Sequence, residues 1–165
     1  MTDQDKSIKV DRMRYTKNKF SSNLALLAII FDVFYFVSIY KSDVSNYYYT
    51  LMIGASIIYN LAFMLAAFLA SEGVKSYGEK YCYLLIVLGV LQFVRIFYIP
   101  WNASHATVVI ANVDVVVMGA AQFVRCAIYL GISGIALLLA AVVGIQKSRV
   151  LNAYLATLGE EVRRD

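Results

Sequence analysis

Four letters recur in this chain at two places where nearly every neighbour is apolar. Gln92 and Arg95 lie in "LQFVRIFYIP", and Gln122 and Arg125 lie in "AAQFVRCAIY". A guanidinium keeps its charge and offers five N–H donors in a fixed fork, so among apolar neighbours it needs a carboxylate, an anion or a route back to water. Two more polar side chains sit deep in apolar runs: Asp32 in "LALLAIIFDVFYFV", and Asn60 with Ser56 one turn before it. Asp32, Asn60, Gln92, Arg95, Gln122 and Arg125 are therefore the candidate polar or ligand site.

Three uses of the arginines are open. Each can bend its long side chain to a membrane surface. Each can pair with Asp32 or Asp114 and lock helices together. Or the two can build an anion or substrate site from opposite walls, since their segments run antiparallel. In each case the glutamine one turn earlier can add amide hydrogen bonds. The repeated "QFVR" hints at an internal repeat, but "IFYIP" and "CAIYL" beyond it share little.

Other chemistry is thinly represented. His105 is the single histidine, which excludes a multi-histidine metal site within one chain. There is no CxxC, no glycine-rich phosphate cradle and no nucleophile beside a base. No catalytic residue, metal site or cofactor is assigned.

The setting of these residues follows from composition. The chain has 165 residues, 61% of them hydrophobic and 16% charged, more apolar surface than a soluble domain of this size can bury. A bilayer core of about 30 Å takes roughly 20 helical residues at about 1.5 Å each. Four stretches qualify, near 20–40, 47–70, 81–99 and 121–146. They are continuous apolar runs and lack the alternation of a barrel strand, so the expected fold is an all-α integral membrane protein, a four-transmembrane-helix bundle. Residues 1–19 form a basic cytoplasmic segment, 20–146 the transmembrane domain, and 147–165 a cytoplasmic tail. The only proline, Pro100, falls where the third span should end.

Lysines and arginines orient the bundle. Six precede the first span, Lys75 and Lys80 lie between the second and third, and Lys147, Arg149, Arg163 and Arg164 follow the fourth, whereas the opposite side carries only Lys41. By the positive-inside rule both termini are cytoplasmic, and a plasma membrane is the expected location. The first span follows a polar segment with no cleavage site after it, so a retained helix is expected in place of a signal peptide. Tyr40, Tyr47, Tyr48, Tyr49, Tyr98 and Trp101 would form an outer aromatic belt, with Tyr15, Tyr77, Tyr81 and Tyr83 as the inner one. Basic residues clustered at membrane ends suit anionic lipid head groups, and no soluble basic and aromatic face suggests nucleic acid. Cys82 and Cys126 fall at opposite ends of their spans, too far apart for a disulfide.

Residues 100–120 carry no basic residue and contain "TVVIANVDVVVMG", whose β-branched side chains favour extended structure. Interfacial, re-entrant and hairpin arrangements are all open. A fifth span at 106–121 is disfavoured because it would export the basic tail. In that tail Val150, Leu151, Tyr154, Leu155, Leu158 and Val162 share one helical face, which suggests a juxtamembrane amphipathic helix. Leu151, Tyr154, Leu155 and Leu158 are the expected membrane-surface or partner face.

Small residues recur at Ala62, Ala66 and Ala70, and at Ala127, Gly131, Ala136, Ala140 and Gly144. In lipid such stripes let helix backbones approach closely. They serve either the bundle or a second protein. The leading expectation is a non-enzymatic subunit of a larger membrane complex such as a transporter, with other membrane subunits or further copies of the chain as partners. A homo-oligomeric channel or carrier for an ion or small anion is the alternative, and a membrane enzyme acting on lipid comes last.

Overall fold

The computed structural model describes residues 18–39, 47–105, 107–110, 113–116 and 118–157. Helix α1 (Lys19–Ile39) is followed by α2 (Tyr47–Lys75), α3 (Glu79–Tyr98) and the short α4 (Pro100–His105). Strands β1 (Thr107–Ile110) and β2 (Val113–Val116) then precede α5 (Ala120–Thr157). Four of these helices are long and apolar enough to cross a membrane.

Helix α5 is the hub, packing along both α1 and α3. Helix α2 packs mainly on α1 and more lightly on α3. The interior has three layers. One apolar layer contains Ala25 and Ala28, Phe63, Ala67, Ala70 and Val74, Cys82, Leu85 and Leu88, and Ala136, Leu137 and Ala140. A second, at the other end, gathers Tyr35, Met118, Cys126 and Leu130. Between them lie Asp32, Asn60, Gln92, Arg95 and Ser133, all buried. Cys82 and Cys126, in opposite apolar layers, are both free thiols.

Each long helix contributes to this layering by the same spacing. Buried positions run 25, 28, 32, 35 on α1, then 60, 63, 67, 70, 74 on α2. They run 82, 85, 88, 92, 95 on α3 and 126, 130, 133, 137, 140 on α5. Steps of three and four keep one face of a helix inward. The exterior carries Ile30, Phe34, Ile58, Leu65, Val87, Phe97, Ile128 and Leu139.

The small residues pack less uniformly than the stripes suggest. Ala70, Ala136, Ala140 and Gly144 are buried, Ala66, Ala127 and Gly131 are half-buried, and Ala62 is exposed. The inward face of α2 is offset by one residue, to Phe63 and Ala67. Tight crossings fall elsewhere: a Cβ on Gly89 would meet the Leu138 side chain at 2.9 Å and the Gly134 carbonyl at 3.2 Å. One on Gly144 would meet Cys82 Sγ at 2.7 Å, whereas at Gly131 nothing lies within 4 Å.

Three expectations change at the connections. The 100–120 segment is a one-turn helix followed by an antiparallel hairpin, pairing Thr107 with Val116 and Ile110 with Val113. Four-residue strands cannot make a fifth span, and the hairpin is an exception to an all-α fold. The tail does not begin as a separate amphipathic helix, because α5 runs unbroken for 38 residues to Thr157. "QKSRVLNAYLAT" contains neither Gly nor Pro, so nothing in it stops the helix. Of the expected partner face, Leu151 is half-buried; the side chains of Tyr154 and Leu155, and all of Leu158, lie outside the described residues. The second helix also runs past residue 70 to Lys75 before the turn.

That turn is a Schellman motif. Gly78 N donates to Gly73 O at 3.0 Å and Tyr77 N to Val74 O at 3.0 Å, which puts Tyr77 in the left-handed region at φ 60°. A non-glycine there is strained, and Ser148 Oγ on α5 holds it by donating to the Tyr77 carbonyl at 3.1 Å. Asn18 fastens the same end of the bundle. Its side chain caps α1 by accepting from Ser21 N, its own N–H donates to the last carbonyl of α2 at Lys75, and Lys147 Nζ of α5 donates to its Oδ1 at 3.1 Å.

Candidate functional site

The polar layer is built from one residue pair on α3 and single residues on α1, α2 and α5. On α3, Gln92 and Arg95 are three apart and both fall on the inward face. Arg95 Nη1 donates to Asp32 Oδ1 at 2.9 Å, an ion pair whose side chains are 3% and 0% exposed. Gln92 Nε2 donates to the same oxygen at 3.2 Å and to Ser133 Oγ at 2.9 Å. Ser133 then donates to the Ala28 carbonyl at 3.0 Å, one turn before Asp32 on α1. A closed chain of hydrogen bonds therefore joins α1, α3 and α5.

Arg95 also lies against aromatic faces. Its guanidinium carbon is 4.4 Å from the Tyr35 ring centroid, 5.1 Å from Tyr59 and 6.0 Å from Phe63. These contacts add cation–π attraction in a desolvated setting. They also bring α2 to the layer, where Asn60 Nδ2 donates to the Ser56 carbonyl at 2.9 Å.

Pairing within the layer is incomplete. Asp32 Oδ2, Ser56 Oγ, Asn60 Oδ1, Arg95 Nε and Arg95 Nη2 are buried and make no protein hydrogen bond. Each unpaired buried group costs about 1–3 kcal/mol. Asp32 grips Arg95 through one oxygen at one terminal nitrogen, which leaves the Nε–Nη2 edge unused. Such an edge can take two oxygens at once in a bidentate pair.

The second "QFVR" occupies a different setting. Gln122 is half-buried and donates from Nε2 to the Ser38 carbonyl at 2.9 Å. Arg125 is exposed, and among the described residues no ion pair involves it. With Ser38, Gly119, Ala121 and Gln122 it lines an open cleft of about 360 Å³ at the hairpin end of the bundle. Asp114, its other conceivable partner, sits in β2 opposite Val109, and its side chain lies outside the described residues. Arg95 and Arg125 do not share a site.

Of the six candidate residues, Asp32, Gln92 and Arg95 are in direct contact. Asn60 joins them through the aromatic side of α2, whereas Gln122 and Arg125 stand apart. Among the described residues no three His, Cys, Asp or Glu side chains gather as metal ligands. Sequence reasoning missed Ser133, Tyr35 and Asn18. Ser133 could have been found, because it continues the steps from Cys126 and Leu130; Asn18 carried a capping signal just before the first apolar run.

No protein-family model matches the chain, and neither a curated protein nor a solved structure matches it.

Proposed function

We propose that the chain is a small multi-pass protein of the plasma membrane, with both termini cytoplasmic, that serves as a non-enzymatic subunit of a larger membrane complex such as a transporter. The charge distribution supports the orientation, with Lys19, Lys75, Lys80, Lys147 and Arg149 at the Asn18 end. The observation that carries the partner reading is the length of α5. At about 1.5 Å per residue its 38 residues extend about 57 Å, far beyond a hydrocarbon core of about 30 Å. Ten of these residues, about 15 Å, follow Lys147 past the Asn18 end, with Val150 exposed on them. Exposed Ala62 and half-buried Ala66 add a close-approach surface on α2, the helix least enclosed by the others.

The polar layer fits the same reading, because its hydrogen bonds hold three helices of one chain in register. Gentle solubilisation from the native membrane tests the proposal. It predicts a particle larger than the 18.5 kDa chain with its detergent, containing other polypeptides in fixed ratio. Loss of those polypeptides on truncation after Lys147 would assign them to this last stretch of α5. A lone chain in every mild detergent contradicts the proposal.

A second reading, a homo-oligomeric carrier for a small anion, is favoured by the exposed Arg125 in its open cleft. Proteoliposome flux that depends on Arg125 would support it. Flux unchanged in Arg125→Gln would remove it.

A further inference from the structure

The unpaired atoms of the polar layer come from three neighbouring helices. Asp32 Oδ2 comes from α1, Ser56 Oγ and Asn60 Oδ1 from α2, and Arg95 Nε and Nη2 from α3. Asp32 and Asn60 are 0% exposed and Arg95 is 3% exposed. Ser56, Asn60 and Phe63 share the inward face of α2, and the Phe63 and Tyr59 rings flank the Arg95 guanidinium. Asn60 lies between these two rings in the α2 sequence, which brings its unpaired oxygen to the side of α2 that meets Arg95.

The surroundings favour a small occupant. Aromatic rings crowd the guanidinium on both sides, Tyr35 at 4.4 Å and Tyr59 and Phe63 at 5.1 and 6.0 Å, so anything at its free edge must be small. Charge favours a neutral one. Asp32 already balances Arg95, so an added anion or cation would leave a net charge in the interior of the bundle. What fits is uncharged, accepts from an N–H and donates to an oxygen. Water is the smallest such molecule, and buried waters commonly satisfy two to four polar groups.

We propose that the α1–α2–α3 junction is a hydration site, in which ordered water bridges the Nε–Nη2 edge of Arg95 to Asn60 Oδ1, Ser56 Oγ and Asp32 Oδ2. Helix α2 is then joined to the polar layer through water, while α1, α3 and α5 are joined directly. The α2–α3 seam becomes the wettest part of the interior and the place where the bundle parts most easily. Nothing in this depends on a partner complex, so it stands or falls apart from the proposed function.

Water-edited solid-state NMR on the full chain in lipid bilayers tests it, by following magnetisation from water to each arginine Nε. Exposed Arg125 sets the rate for a wetted guanidinium, and fully buried Leu85 and Leu137 set the rate for a dry interior. Arg95 is expected to build up several-fold faster than the leucines and close to Arg125. Asn60→Leu, which removes the bridging acceptor, is expected to slow Arg95 toward the leucine rate. Ser56→Ala, a smaller change on the same face, is expected to slow it less and serves alone if Asn60→Leu fails to fold. Build-up of native Arg95 at the leucine rate overturns the proposal. So does a fast Arg95 signal that every folded variant of this pair leaves unchanged.

Discussion

The same four residues, Gln-Phe-Val-Arg, occur on α3 and α5 with opposite outcomes. On α3 both polar members face inward and meet Asp32; on α5 the glutamine is half-buried and the arginine is exposed. The difference is one of phase. Buried positions on α3 step 88, 92, 95, so a Gln and an Arg three apart both fall on the stripe. On α5 the stripe steps 126, 130, 133, and the position one turn earlier is 122. Arg125, one residue before Cys126, is rotated about 100° away from it. A motif's meaning here is set by its register against the packed face, not by its letters.

The widest separation between the two copies is expected at the arginines. Arg95→Gln leaves Asp32 buried without its counter-charge and should lower bundle stability by about 3–5 kcal/mol, read as thermal unfolding in detergent. Next come the partners of each copy. Gln92→Leu removes donors to Asp32 and Ser133 and should cost about 1–3 kcal/mol. Gln122→Leu removes a single part-buried bond to the Ser38 carbonyl, and about 0.5–1.5 kcal/mol is expected from the same unfolding measurement. Smallest of all is Arg125→Gln, an exposed change that should stay within about 0.5 kcal/mol. An Arg125 effect as large as that of Arg95 would mean that the cleft arginine has a structural partner after all, and the contrast would fail.

Much of the scaffold was legible in the sequence because four apolar runs are a strong signal. The first and third helices start and stop within two residues of the expected positions and the second and last start there too, and the β-branched 107–116 segment forms one of the structures weighed for it. The stop of the last helix was not legible. Hydropathy reports where apolar residues end, but a helix ends only where backbone hydrogen bonding is broken, and "QKSRVLNAYLAT" offers no break. The site was half legible. Asp32 and Arg95 stood out as costly charges, yet composition gives no rotational phase between helices, so Arg125 looked equivalent to Arg95. Ser133 drew no notice in the sequence, since a serine declares its role only when its neighbour across the helix pair is known. The tight crossing at Gly89 and Gly134 was hidden for the same reason: which stripe of small residues is used depends on where the partner helix lies.

A double-mutant cycle between Asp32→Asn and Arg95→Gln, followed by reversible unfolding, bears on the buried pair most directly. If the two charges exist to satisfy one another, each single variant is damaging and the double variant is no worse than either, so the coupling energy is about as large as the smaller single loss, about 3 kcal/mol or more. Losses that simply add would show that Asp32 and Arg95 act independently, and the polar layer would not be the lock that holds α1 against α3.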